Sequence, residues 1–212
     1  MSHEELANPE LAGVEVADDS GDLSRSEVIL KGALAAGAVY GTFMVGPYVR
    51  RALAKSGAGD IEIVNFALTL EYLEASFYEE AKSRAMAKGE LKSLIALLAE
   101  DEKQHVEALK ATVKQLGGKP VAEPKFDFPY SDTAGFLKLA QTFEDTGVSA
   151  YNGAAPAIKS KEVLGAAGTI VQVEARHAAA IRLQNSEEPS PEAFDPTLDE
   201  AQVLKAVEPF IA

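Results

Sequence analysis

The chain has no cysteine. That excludes disulfides, thiolate-held iron, iron–sulfur clusters and a lipoprotein anchor, and leaves the redox compartment open. Histidine is nearly as scarce, with three in 212 residues, and only His105 and His177 lie outside the first few positions. Basic residues are outnumbered 20 to 33, giving a net charge of −13. Without a Lys/Arg block between 58 and 186, the sequence argues against a nucleic-acid or anionic-membrane surface. It also lacks a low-complexity tract and any sign of a second large domain. What remains is 47% hydrophobic, the composition of a globular chain with one good core plus appendages.

The two histidines sit in a repeat. Glu102-Lys103-Gln104-His105 recurs as Glu174-Ala175-Arg176-His177. Glu71 precedes the first copy by 31 residues and Glu144 precedes the second by 30. Each of these is followed seven residues later by a tyrosine, Tyr78 and Tyr151. A shift of 73 residues for the outlying pair, and of 72 for the Glu-x-x-His pair, superposes one set on the other.

The periodicity around these residues predicts four long helices. The first starts at Asp60, with Ile63, Phe66, Leu70 and Phe77 on one seam and Val64, Leu68, Glu71, Ala75 and Tyr78 on another, and is expected to end at Lys88-Gly89. The second spans 90–115 and stops at Gly117-Gly118, with Leu94, Leu98, Glu102, His105 and Leu109 on one face. The third spans about 133–155 up to Pro156, presenting Leu137, Ala140, Glu144, Val148 and Tyr151. The fourth spans about 161–185, presenting Ala167, Ile170, Glu174, His177 and Ile181. Between the second and third, residues 119–132 carry Pro120, Pro124 and Pro129 and read as extended. About fourteen residues at roughly 3.3 Å each reach about 45 Å, more than the ~39 Å of a 26-residue helix. The second and third helices can therefore run parallel, as in bundles with one long crossover. After a Pro-rich stretch, Thr197-Leu198-Asp199-Glu200 reads as a capping box opening a short helix through Val207.

In a helix, residues three apart share a face, so Glu-x-x-His aims a carboxylate and an imidazole at one point. Glu71, Glu102, His105, Glu144, Glu174 and His177 all lie on faces otherwise built of Leu, Ile, Val and Ala. A carboxylate there is costly unless it meets a cation. Four carboxylates balance two divalent ions with both histidines neutral, and the oxygen and imidazole donors suit iron or manganese, with zinc as a surrogate. A single Glu-x-x-His is more often a pair of surface or satisfied core residues; two copies with matched outlying Glu and Tyr form the stronger pattern. Glu74 is a rival ligand, but its repeat counterpart is Gly147, so it ranks below Glu71 or fills the space above that glycine. Tyr78 and Tyr151 are expected beside the site as redox-capable neighbours, although core tyrosines share the same pattern.

One Glu, Glu-x-x-His, one Glu, Glu-x-x-His along four helices resembles the ferritin-like di-iron carboxylate superfamily. The two histidines make it more similar to bacterioferritin, rubrerythrin and manganese catalase than to animal ferritin. The segments Asn65-Phe66-Ala67-Leu68, Leu70-Glu71-Tyr72-Leu73-Glu74-Ala75, Phe143-Glu144-Asp145-Thr146-Gly147, Ala150-Tyr151-Asn152-Gly153 and Val173-Glu174-Ala175-Arg176-His177 most resemble the ferritin-like-domain family that includes plant desiccation-related proteins. The resemblance covers about residues 60–210. It implies an all-α fold: a ferritin-like four-helix bundle with one long crossover. It also implies two Fe or Mn ions per chain, with Glu102 and Glu174 bridging them and Glu71/His105 and Glu144/His177 as terminal ligands. O2 or peroxide chemistry in iron handling or oxidative and desiccation stress would follow, of the ferroxidase, peroxidase or manganese-catalase kind. Lys103 stands where haem-binding relatives carry methionine, so haem is not expected. The absence of cysteine weakens a rubrerythrin-type peroxidase, and the long extensions weaken a storage shell. The different reading is a structural or stress-assembly protein whose metal site is a folding staple.

The sequence divides into an acidic tail (1–25), an apolar segment (26–57), the bundle (58–186) and a C-terminal segment (187–212). The apolar run 28–49 contains Gly37 and Gly41 at a small-xxx-small spacing and is expected to be helical. Export signals need a basic segment before the apolar stretch, whereas the tail here is acidic. An uncleaved helix docking on the bundle or on a neighbouring subunit of a homo-oligomer is therefore favoured. Membrane anchoring comes next; Arg50, Arg51 and Lys55 would then keep the bundle on the cytoplasmic side. Cleaved export comes last, so a cytoplasmic or membrane-associated location is preferred to an exported one.

Overall fold

A computed structural model describes residues 58–212. The acidic tail and the expected N-terminal apolar helix lie outside the described residues. The elements are α1 (Ala58–Arg84), α2 (Gly89–Gln115), α3 (Thr133–Ala154) followed by a 3-10 turn (Ala155–Ala157), α4 (Lys161–Gln184), α5 (Glu200–Val207) and a final 3-10 turn (Glu208–Phe210). The described residues contain no named strand, only an isolated antiparallel bridge between Phe126 and Ile211. The expected all-α bundle is what forms. No helix among the described residues is long and apolar enough to cross a membrane.

Contacts between the halves fix the directions. Tyr78 of α1 meets Glu144 of α3, while Tyr151 of α3 meets Glu71 of α1, so α1 and α3 are antiparallel. His105 lies beside Glu174 and His177 beside Glu102, so α2 and α4 are antiparallel too. The short 85–88 turn makes α1 and α2 a hairpin, and α2 and α3 therefore run parallel. The crossover this requires lies along α1 in register. Asn65 donates to the Lys119 carbonyl and accepts from the Val121 amide; Tyr72 donates to the Val121 carbonyl, Ser76 to Glu123, and Arg84 to the carbonyls of Tyr130 and Phe128.

Two helix ends differ from expectation. The first helix stops at Arg84 rather than Lys88-Gly89, because Ala85 turns into the left-handed region at φ 52° and the Arg84 side chain is committed to the crossover. Lys88 is the extended N-cap of α2, which Gly89 opens at φ 56°. The terminal capping box falls two residues later than Thr197: Asp199 accepts from the Gln202 amide, and the Gln202 side chain accepts from the Asp199 amide. Leu198 is instead used to dock the tail, its amide donating to the Ser149 carbonyl at 3.0 Å.

The core has two parts on either side of the polar middle. One is aromatic: Phe77 is ringed by Tyr78, Phe128, Tyr130, Phe136 and Phe143 at centroid distances between 4.9 and 5.5 Å, and Val203 and Val207 of α5 join the same cluster. The other is aliphatic, built around Val64, Leu68, Leu109, Val113, Tyr151, Val163 and Ile170. Phe210 packs edge-on against Phe143 at 4.8 Å, and the Phe210 carbonyl accepts from Asp127. The tail thereby ties α3 to the crossover.

Candidate metal centre

At mid-height the four helices turn charge inward. Glu71, Glu102, Glu144 and Glu174 are all 0% exposed, and His105 and His177 are buried beside them. They form two groups whose donor atoms lie within 4.8 Å of one another: Glu71, Glu102, His105 and Glu174, and Glu102, Glu144, Glu174 and His177. Glu102 and Glu174 belong to both. The His105 Nδ1 lies 3.2 Å from Glu71, 3.1 Å from Glu102 and 2.9 Å from Glu174. The His177 Nδ1 lies 2.8 Å from Glu102, 3.7 Å from Glu144 and 3.9 Å from Glu174. The two rings stand 6.2 Å apart, inclined by 29°. All six residues expected from the repeat are thus brought together.

Most of these separations are short without hydrogen-bond geometry. Among the described residues, buried side-chain atoms without a hydrogen bond concentrate here: Glu71 Oε2, Glu102 Oε1, Glu144 Oε2, both Glu174 oxygens and His177 Nδ1, with Glu80 Oε1 and Tyr130 Oη the two elsewhere. Buried polar atoms left unmatched are costly. Donors facing common points, in two sets of four, have the form of a site that can hold metal.

The electrostatics point the same way. Burial, then the neighbouring Glu174 charge, pushes the Glu71 carboxyl up to about 8. Burial also raises Glu144 well above the usual carboxylate range, with His177 opposing and Glu174 adding to the rise. Burial alone would raise Glu102, but the two imidazoles outweigh it and hold this carboxyl low. Burial opposes charge on His105 and His177, yet Glu71 and Glu102 beside the first, and Glu144 and Asp101 beside the second, draw both upward. The cluster therefore needs positive charge, from protons or from ions.

The surrounding groups are partly reciprocal. Tyr78 donates to Glu144 and Tyr151 donates to Glu71, so each half's tyrosine orients the other half's glutamate. Glu74, also buried, fills the space above Gly147: a Cβ there would lie 3.0 Å from Glu74 Oε1 and 3.7 Å from Glu174 Oε2. It belongs to neither four-residue group. Burial, then Glu174, raises its carboxyl well above the usual range. Asp101 was not anticipated from sequence. Its Oδ2 lies 3.3 Å from His177 Nε2, where a protonated Nε2 leaves the Nδ1 lone pair for the centre. Its signal was an acidic residue inside the apolar arc of α2, four before His105. The repeat hid it, because position 173 is valine.

No match is found among curated proteins. The family model described as a ferritin-like domain matches residues 59–187, a span that takes in all four long helices and every residue of the centre. With a helical bundle, one long crossover and two buried Glu/His groups sharing two glutamates, the chain belongs to the ferritin-like domain family.

Proposed function

We propose that the bundle binds two divalent ions, iron or manganese, and reacts with dioxygen or peroxide in iron handling or oxidative stress protection. The observation that carries this reading is the pair of four-donor groups sharing Glu102 and Glu174, with fully buried oxygens that make no hydrogen bond. Glu102 and Glu174 would be held in common by the two ions. Glu71 with His105 would complete one position, and Glu144 with His177 the other. When bound, the ions supply one-electron redox chemistry at adjacent centres. The chain keeps four carboxylates of matching charge in place, and bulk water away from them. Tyr78 and Tyr151 hold the Glu144 and Glu71 carboxylates by hydrogen bonds and are the oxidisable side chains in contact with them. Asp101 positions His177.

A second reading has the metal as a folding staple in a stress or assembly protein. The 57 residues preceding α1, which no metal chemistry requires, favour it. The two separate cleanly. Protein loaded anaerobically with Fe(II) and mixed with O2 or peroxide in a stopped-flow spectrometer should oxidise its iron far faster than free Fe(II) does, or Mn(II)-loaded protein should dismutate peroxide. If neither occurs, while metal removal lowers Tm by several degrees, the staple reading stands.

A further inference from the structure

The two ends of the bundle are related by the repeat but are filled differently. Beyond Tyr78, the space is occupied by Phe77, Phe136, Phe143, Leu94 and Ile95, all buried. Carried across the repeat by 73 residues for α1 and α3 and by 72 for α2 and α4, these positions become Ala150, Ile63, Leu70, Ala166 and Ala167. All five line a cavity of about 40 Å³ that ends on Tyr151. Trimmed side chains have opened at one end what rings close at the other.

The chemistry of the lining is restrictive. Among its side chains only Thr112, Thr169 and Tyr151 carry polar atoms, and each hydroxyl proton is already committed. Thr112 donates to the Ala108 carbonyl, Thr169 to the Ala166 carbonyl, and Tyr151 to Glu71. A water needs about 10–15 Å³ of such space and two or more polar partners, whereas apolar cavities stay dry and take up xenon or small apolar molecules. This one has room for a diatomic molecule. On the opposite side, a smaller opening of about 10 Å³ is lined by Asp101, Arg176 and His177 among apolar residues, and polar solutes are better matched there.

Resting on the two-metal reading, we infer that dioxygen reaches the centre through the apolar cavity ending on Tyr151, a route that peroxide does not share. In the reaction there, each of two ferrous ions gives up one electron, dioxygen takes both with two protons from solvent, and hydrogen peroxide leaves.

The full-length chain tests this in two steps. Metal-free protein under xenon pressure should show xenon in the cavity by ¹²⁹Xe NMR or crystallography, and Ala67→Phe should exclude it. Oxidation of Fe(II)-loaded Ala67→Phe by O2 should then slow by about tenfold or more, equivalent to at least ~1.4 kcal/mol of barrier, while its reaction with peroxide stays near the wild-type rate. Ala167→Phe, on the facing helix, provides a second blocking variant if the first does not fold. Absence of xenon from the wild-type cavity, an unchanged O2 rate in a variant that excludes xenon, or equal slowing with peroxide would overturn the inference alone. Xenon uptake by a chain that binds no iron would overturn it together with the two-metal reading.

Discussion

At the scale of single residues, the centre is held by groups that reach across from the opposite half. Tyr78 and Tyr151 are the clearest case, each donating to a buried glutamate on the other's helix. Removing one partner of a buried hydrogen bond costs about 1–3 kcal/mol. Tyr151→Phe and Tyr78→Phe should each cost the metal-free protein about 2 kcal/mol in urea unfolding, without changing the helix content seen by circular dichroism. Gly153 shows a different constraint. A Cβ there would fall 1.9 Å from the Leu198 carbonyl oxygen, which is backbone and has little room to yield. Gly153→Ala should therefore lift the tail off α3 and destabilise by about 1–3 kcal/mol, the range for overpacking a well-packed site. A fall in Tm together with new proteolysis between α4 and α5 would register it. The convergence of the six candidate residues was legible in sequence because identical chemistry recurred at a fixed shift. Glu74, which the repeat ranks below Glu71 as a ligand, fills the space that Gly147 leaves. Asp101 escaped for the same reason in reverse: it has no counterpart to repeat.

At the scale of elements, the helices were readable because their apolar arcs are long and their charged interior positions recur within them. Their ends were less so. Ala85 adopts positive φ without being glycine, an uncommon choice for a non-glycine residue, and it is made where Arg84 turns to the crossover carbonyls. The start of α4 depends on a residue a hundred positions away. Asp60, fully buried in the first turn of α1, accepts from the amides of Lys159 and Ser160 at 2.9 Å each. It thus anchors the entry to α4 beside the cap that Ser160 itself provides at Val163. No local pattern in the sequence announces this. Asp60→Ala would leave two backbone donors without their acceptor, at roughly 1–3 kcal/mol for an unmet buried group. A loss of about 2–4 kcal/mol in chemical denaturation is expected, with faster amide exchange at the start of α4 than elsewhere.

At the scale of the whole molecule, two similar helical hairpins enclose a charged middle between an aromatic end and an aliphatic end. Both ends bury apolar surface that favours folding, whereas the middle opposes it: Glu71, Glu102, Glu144 and Glu174 converge, and among the described residues only His105 and His177 face them with positive charge. Two divalent ions would cancel that charge, and binding to the folded chain alone would stabilise it by mass action. The most direct measurement is anaerobic titration of metal-free protein with Fe(II), followed by calorimetry and by metal analysis after desalting, for the wild type and for the Glu102→Ala, Glu174→Ala double variant. A break at two ions per chain is expected in the wild type, with a Tm that rises as the sites fill, and loss of both ions in the double variant. Full occupancy of the double variant, or a wild-type chain that retains no iron or manganese while folded, would contradict the two-metal reading.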